Sequence, residues 1–486
     1  MMLTFLIALP FLAGAFIILL PAKKTRLIEA AVAVVALAEL FLALSLLPQV
    51  LAEGRVEASQ IFAIDVFGMF LMLVIALVGF FVSLYSVGYL RAEVAKGIIG
   101  ARRVRQYFAL FELFLFAMYL AVGTVNPVVM WIAIEATTLS TAFLISYYNK
   151  PSATEAAWKY IILNSLGLLL GLLGTLLFLA LPEAKSGVSD WETLRAAATS
   201  FHPLAVKIAF VFVLVGYGTK VGLAPLHAWL PDAHSKAPSP ISALLSGVLL
   251  NVALFAVLRF KGVADLALGD AVFTGQLLIF FGMLSLAIAS LIIFVQKNYK
   301  RLLAYSSIEH MGIMALGFGF GGLGAYAALL HMLYHALAKS LLFLSAGNIF
   351  LRYSSTKLKN ISGVLSALPV TGVLFFGGFL MIAGMPPFGI FTSKFLLLSA
   401  GIGAHPWVTG VALFLIALVF FGFFKHVTAL AFGKPAETIE IGESRNPLTI
   451  LPLVALALLI VFLSWRFPAS LEMLIRLAAE QLILNS

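Results

Sequence analysis

Apolar runs recur along this chain at a length that only a lipid bilayer demands. About fourteen of them, at approximately 3–21, 27–48, 64–90, 106–124, 127–148, 157–180, 203–230, 239–260, 271–295, 303–320, 325–350, 369–400, 407–432 and 447–466, are long enough to cross one. A hydrocarbon core needs about 20 consecutive apolar residues in a helix, because backbone polar groups inside it must be satisfied within the segment. A helix in a soluble core keeps a polar face over such a length, and a lipid-embedded one does not. Composition agrees: 62% of the 486 residues are hydrophobic and 11% are charged, whereas a soluble domain is nearer half and a quarter. The expected fold class is all-α, a polytopic membrane protein of about 14 transmembrane helices. A water-soluble enzyme is excluded.

Charges outside these runs orient the chain. Lys23, Lys24 and Arg26, then Arg91, Lys96, Arg102, Arg103 and Arg105, then Lys150, Lys236, Lys297, Lys300 and Arg301, fall in alternate loops. Arg352, Lys357, Lys359, Lys425, Lys434 and Arg445 continue the series. The opposite loops and the tail hold fewer: Arg55, Lys185, Arg195, Lys207, Arg259, Lys261, Arg466 and Arg476. Short cytoplasmic loops carry the excess of Lys and Arg. The crowded loops are therefore expected in the cytoplasm of a prokaryotic cell, with both termini outside. The net charge of +10 reads as topology and not as a nucleic-acid footprint. The first run has its charges after it and no A-x-A site at its end, so it reads as a retained helix. Beyond Pro468, residues 470–484 set apolar residues at helical spacing among Glu472, Arg476 and Glu480, a tail suited to the membrane interface or to a neighbouring subunit. The absence of cysteine removes Cys-ligated zinc, iron–sulfur clusters, disulfides and thiol chemistry, and no cofactor is expected on this chain.

A few ionisable residues lie inside the runs. Glu135 sits in WIAIEATTLS, Lys220 in LVGYGTKVGLAPLHAWLPDAHS, His331, His335 and Lys339 in LLHMLYHALAKSLLF, and Lys394 in GMPPFGIFTSKFLLL. A charge at bilayer depth costs at least ~2.5 kcal/mol, so such groups pair, face water or serve an ion path. A buried ion pair that only orders helices is the plainer reading. Three lysines against one obvious carboxylate cannot all be paired, however. Each lysine then holds or releases its proton according to the charge beside it, which is what a relay requires. His331, His335 and Lys339 are four residues apart and share one helix face. Two histidines so spaced suggest zinc, but a third ligand is lacking and the adjacent lysine opposes a metal, so none is expected. Imidazole accepts on one nitrogen and donates on the other, which suits proton transfer.

The seventh and twelfth runs are also interrupted. Gly222 and Pro225 fall in one, Gly384, Pro386 and Pro387 in the other, and each helix should break there. Broken backbone at membrane depth lines protein or water, and paired broken helices point to an ion site. Runs four to eight and nine to thirteen each hold five helices with the broken one fourth, a placement that fits a repeat. The stretch Gly317-Phe-Gly319-Phe-Gly321-Gly322 matches G-x-G-x-x-G, but no strand precedes it, so its glycines serve close packing and a turn. Asp232 and His234 do not read as a catalytic dyad. They flank the end of the broken seventh helix, where proton access or a helix-end contact is equally natural.

Four segments in order, GTKVGLAPLHAWLPDAHSKAPSPISALLSGVLLN, NYKRLLAYSSIEHMG, HMLYHALAKSLLFLSAG and GMPPFGIFTSKF, resemble the antiporter-like subunits of respiratory complex I and of Mrp-type cation/proton antiporters. HSKAPSPISALLSGVLLN and AYSSIEHMG are most similar to the F-type membrane subunit of hydrogenase-4 and formate-hydrogenlyase complexes. The resemblance implies a fourteen-helix fold with two inverted five-helix repeats. Residues 1–105 would form helices 1–3, 106–262 the first repeat, 263–433 the second, and 434–486 helix 14 with the tail. It also implies proton or proton/sodium transport within a redox-driven complex, with other membrane subunits and a peripheral redox arm as partners. Carried over by position, Glu135 and Lys220 form a switch that sends a proton to Lys339, beside His335, and on to Lys394. His310 matches a histidine after AYSS. His227, Asp232, His234, Asn251, Lys300, Glu309 and His310 are candidates for intermediate steps or proton access. Two positions depart from the family pattern: Asn251 replaces a lysine of the eighth helix, and Asn298 replaces an acidic residue at the ninth-to-tenth junction. Water, Asn251 or Lys300 would then have to bridge Lys220 to the eleventh helix. A structural anchor with vestigial charges, a stand-alone antiporter and an ion-coupled carbon-uptake module are the other readings.

Overall fold

The computed structural model describes residues 1–181 and 190–483, so Lys185 lies outside the described residues. Helices α1 (Met2–Leu19) and α2 (Thr25–Glu53) lead into a small antiparallel hairpin, β1 (Arg55–Glu57) with β2 (Ala63–Asp65). Then come α3 (Val66–Ala95), α4 (Ala101–Gly123), α5 (Pro127–Ile145), α6 (Pro151–Ala180), a short α7 (Trp191–Ala197), α8 (Pro203–Val221) and α9 (Trp229–Lys236). A single buried rod follows, formed by α10 (Ser239–Leu244), a π-helical turn at Leu245–Leu249 and α11 (Leu250–Leu268). The remainder is α12 (Val272–Ile293), α13 (Tyr299–Phe320), α14 (Leu323–Tyr353), a single turn α15 (Val364–Ala367), α16 (Pro369–Ala383), α17 (Gly389–Ala404), α18 (Pro406–Ala431), α19 (Leu451–Trp465) and α20 (Ala469–Ile483).

Local sequence sets many of these ends. Proline stands in the first turn of α5, α6, α8, α16 and α18, where its missing N–H costs nothing. Asn126 caps α5 by accepting from Val128 and Val129 N–H, and Asp65 caps α3 through Gly68 N–H at 2.9 Å. Asn298, the departure noted above, caps α13 by accepting from Lys300 and Arg301 N–H. The amide thus keeps the helix start that an acidic residue would also have supplied.

Among the described residues, twelve helices are long and apolar enough to cross a membrane. The other two expected runs differ in kind. The tenth, α13, is full length but carries Lys300, Arg301, Glu309 and His310, and the twelfth is split into α16 and α17. Arg259 and Lys261, read above as loop residues, lie inside α11, where Arg259 pairs with Asp65 and Lys261 with Asp265. The α10–α11 rod and α14 are the two central helices, their most apolar stretches wholly enclosed, while α2 and α18 turn Phe41, Leu44, Phe414 and Phe421 outward. Close approach of neighbours rests on glycine: a Cβ on Gly282 would stand 2.7 Å from Gly312 O, which seats α12 against α13. Gly319 packs likewise on Gly275, so the glycine-rich stretch serves helix contact and the α13–α14 turn. The amphipathic tail forms α20, and its apolar face (Leu474, Ile475, Ala478, Ala479) is buried against α3 and α14 of this chain, with Arg476 turned outward. These four residues are covered by the chain's own helices.

Candidate functional site

The two helix breaks have the same plan. Helix α8 ends at Gly222 (φ +79°) and α16 at Gly384 (φ +84°), both left-handed, a conformation that glycine adopts without penalty. Freed backbone groups at each break find partners: Trp229 Nε1 donates to Thr219 O at 2.8 Å, Ser285 Oγ accepts from Ala224 N–H at 2.9 Å, and Lys394 Nζ donates to Ala383 O at 3.3 Å.

At the first break Lys220 is fully buried in the last turn of α8, an end whose dipole favours a cation. It does not touch Glu135. Its ammonium donates to Thr138 Oγ1 at 2.8 Å and to Tyr160 OH at 2.7 Å, and lies 4.7 Å from the Tyr160 ring centre. Thr138 in turn donates to Glu135 Oε2 at 3.1 Å, and Ser165 donates to Glu135 Oε1 at 2.7 Å. The expected ion pair is therefore corrected to a hydroxyl-bridged pair. Thr138 stands one turn past Glu135 on α5 and fills the space between the charges. Thr141 extends the line, its Oγ1 2.7 Å from Tyr160 OH.

The second half holds a carboxylate that the argument from three lysines and one glutamate left out. Glu309, buried in the middle of α13, pairs directly with Lys394 of α17 at 3.3 Å. Lys339 on α14 donates to Leu303 O at 2.8 Å and to Ser306 Oγ, and lies within electrostatic reach of Glu309. Glu309 thus sits between two lysines. Beside it, His310 Nδ1 and His331 Nε2 are 2.7 Å apart, and His331 Nδ1 is 2.9 Å from Ser393 Oγ. The His335 ring lies 5.2 Å from that of His310, and neither of its nitrogens has a hydrogen-bond partner. Lys339, Glu309, His310, His331, His335 and Lys394 form one cluster.

Several polar groups lie between the two halves. Asn251 spends its amide on Gly247 O at 2.8 Å, and its Oδ1 is buried without a partner. Ser246 and Ser307 hydroxyls meet at 2.7 Å and join the α10–α11 rod to α13. Lys300 donates to Ala237 O at 2.7 Å. Asp232 is a helix-end contact, held by Arg301 at 2.5 Å and Lys159 at 3.4 Å. His234 is buried flat on Phe343, ring centres 4.9 Å apart, with both nitrogens unpartnered. His227 is half-buried in the break, 6.2 Å from the Tyr305 ring. Thr138, Tyr160, Ser165 and Ser306 are the polar partners that sequence reading passed over. The available signal was their spacing: Thr138 follows Glu135 by three residues and Ser306 precedes Glu309 by three, which places each on its glutamate's helix face.

Such a molecule is a polytopic helical membrane protein with titratable side chains aligned through its interior beside two broken helices. More narrowly, the chain belongs to the NADH:quinone oxidoreductase/Mrp antiporter transmembrane family, whose profile matches residues 124–424. That of the N-terminus of complex I chain 5 matches residues 51–96. Over 379 residues the chain is 40% identical to the hydrogenase-4 component F homolog of Methylacidiphilum infernorum (isolate V4), covering 77% of this chain and 79% of that one. It spans about half the length of other, longer curated relatives, such as hydrogenase-4 component B of Escherichia coli (strain K12). A chain of the membrane-bound sulfane sulfur reductase, an archaeal respiratory membrane complex, superposes with a TM-score of 0.86 at 26% identity, over 99% of this chain and 97% of that one.

Proposed function

We propose that this chain carries protons across the cell membrane as one subunit of a redox-driven complex, through a relay of Glu135, Lys220, Lys339, Glu309 and Lys394 assisted by His310, His331 and His335. The observation that carries this reading is Glu309, buried inside the helix bundle and held between Lys339 and Lys394. A carboxylate that can stabilise either of two ammonium groups favours the proton on one or the other, and moving it toward Lys394 frees Lys339 to accept the next. His310 and His331, 2.7 Å apart, offer a second route for the same proton toward Ser393. Lysine at each node favours a proton over sodium, because an ammonium repels a metal cation and holds a proton covalently.

Repeat symmetry supports the same reading. Glu135 on α5 answers Lys220, in the last turn before the first break, as Glu309 on α13 answers Lys394, on the helix after the second, which is in keeping with the proposed inverted repeats over 106–262 and 263–433. In the first the carboxylate reaches its lysine through a hydroxyl, and in the second directly. The stretch from Lys220 to Lys339 is bridged through the Ser246–Ser307 contact, Asn251 Oδ1 and His335, with water completing the buried polar atoms that lack protein partners. The lysine-rich loops are placed in the cytoplasm and both termini outside. Electrons run in partner subunits, in keeping with a chain free of cysteine and with the hydrogenase and respiratory relatives.

Proton translocation by the intact complex in liposomes, compared with Lys394→Ala at equal assembly and equal turnover with an artificial acceptor, tests this. Translocation is expected to be lost while the complex still assembles. Undiminished translocation would make the chain a scaffold.

A further inference from the structure

We propose that Glu93 gathers protons from the lysine- and arginine-rich face and loads them onto the relay, an assignment that rests on the proton-transport reading above. Glu93 lies in the last turn of α3 and is fully buried. Tyr148 OH donates to its Oε1 at 2.5 Å, Tyr89 OH stands 3.1 Å from Tyr148 OH, and Oε2 has no hydrogen-bond partner. Among the described residues no cation forms an ion pair with it. A buried carboxyl kept only to order helices would be paired, since an unpaired charge there is costly.

Its surroundings form a path in both directions. Tyr85, Tyr89 and Glu93 are four residues apart on one face of α3, and Tyr85 OH donates to Asn348 Oδ1 at 2.9 Å. Asn348 borders a cavity of about 310 Å³ whose walls include Lys96, Arg352, Glu440 and Glu443, charged groups that draw water to this face. Inward, Lys300 in the first turn of α13 lies within electrostatic reach of Glu93. His234 lies within reach of both Lys300 and Lys339, with both ring nitrogens unpartnered. Glu93, Lys300, His234 and Lys339 thus each lie within electrostatic reach of the next, from the end of α3 to the middle of α14. The titratable groups that face Glu93 are Tyr85, Tyr89, Tyr107, Tyr147, Tyr148 and Lys300.

The chemistry is a proton transfer at each step. A hydronium ion from the cavity loses a proton and becomes water as the carboxyl O–H of Glu93 forms. That O–H then breaks as an N–H forms on the neutral Lys300 amine, leaving carboxylate and ammonium. His234 takes the proton on one nitrogen and yields it from the other to Lys339. No oxidant, reductant or further reactant is consumed.

Proton translocation by the intact complex in proteoliposomes tests the assignment, with wild type, Glu93→Gln and Lys394→Ala compared at matched assembly and at several pH values on the lysine-rich side. Glu93→Gln is expected to slow translocation on the order of a hundredfold, as loss of a general acid–base group does. The deficit should widen as pH on that side rises and protons become scarce. A wild-type rate in Glu93→Gln beside a dead Lys394→Ala overturns the loading role and leaves the relay standing. Wild-type rates in both overturn the relay itself. A deficit equal at every pH marks Glu93 as a packing residue and likewise overturns the proposal. Should Glu93→Gln not assemble, Tyr148→Phe removes only the hydroxyl on the carboxyl. Slowing that grows with pH then supports the assignment, and an unchanged rate at every pH overturns it.

Discussion

Thr138 is the residue on which the first half turns, because it accepts from Lys220 and donates to Glu135 at once. Through one hydroxyl the two charges sense each other without meeting. Thr138→Val keeps the shape and removes that link, leaving Lys220 only Tyr160. A hydrogen bond to a charged group is worth about 1.5–3 kcal/mol, so translocation is expected to fall about tenfold or more while the complex assembles normally. A rate within twofold of wild type would mean that Glu135 and Lys220 communicate by another route. Glu135, Lys220, Lys339 and Lys394 are legible in the sequence because a charge inside an apolar run has few explanations. Thr138, Ser165 and Ser306 are not, since hydroxyls in helices usually satisfy themselves on carbonyls a turn back, as Thr141 and Ser340 do here. Only the neighbouring helix reveals which hydroxyl has a second task.

Among the elements, the two broken helices were readable from Gly-Leu-Ala-Pro and Gly-Met-Pro-Pro, whereas α13 was not readable as a carrier of a mid-helix carboxylate. Its opening NYKRLL reads as a loop junction, so the span is expected to start at 303, less than two turns before Glu309. The helix in fact starts at Tyr299 and brings Glu309 three turns inside, into the core. The break in the twelfth span is equally exacting. Gly384 has φ +84°, and a Cβ there would stand 3.1 Å from Lys394 Cδ, so the residue that ends α16 also makes room for the relay lysine. Gly384→Ala is expected to cost roughly 1–3 kcal/mol from backbone strain and to displace Lys394, lowering both the melting temperature of the purified complex and its proton translocation. Gly377 provides the contrast: it is helical, and a Cβ there meets nothing within 4 Å. Gly377→Ala should leave translocation intact and stability unchanged or slightly raised. Equal losses in the two variants would show that the break does not hold Lys394.

Across the whole molecule, distant parts of the chain are closed on one another at Asp65. This carboxylate caps α3, pairs with Arg259 of α11 at 2.5 Å, and accepts from Gln481 of α20 at 2.7 Å, so the hairpin, the central rod and the tail meet in one polar knot. The amphipathic spacing of the tail was legible, but its destination was not, because an apolar helix face suits lipid, a partner or its own chain equally. Burial pushes the Asp65 carboxyl up, yet the Arg259 guanidinium with the Gly68 and Gln481 donors outweighs it and holds the group down at about 2. A carboxyl depressed in the folded state contributes stability that is complete above its unfolded value, near 3.9, and lost as pH falls through the folded one. The contribution is on the order of 2 kcal/mol at neutral pH. Asp65→Asn should therefore melt below wild type at pH 7, with the gap closing between about pH 4 and pH 2 and with α20 losing protection against proteolysis. A gap that persists unchanged at low pH would mean that Asp65 holds the tail by shape and hydrogen bonding alone, and that its charge contributes nothing to closing the molecule.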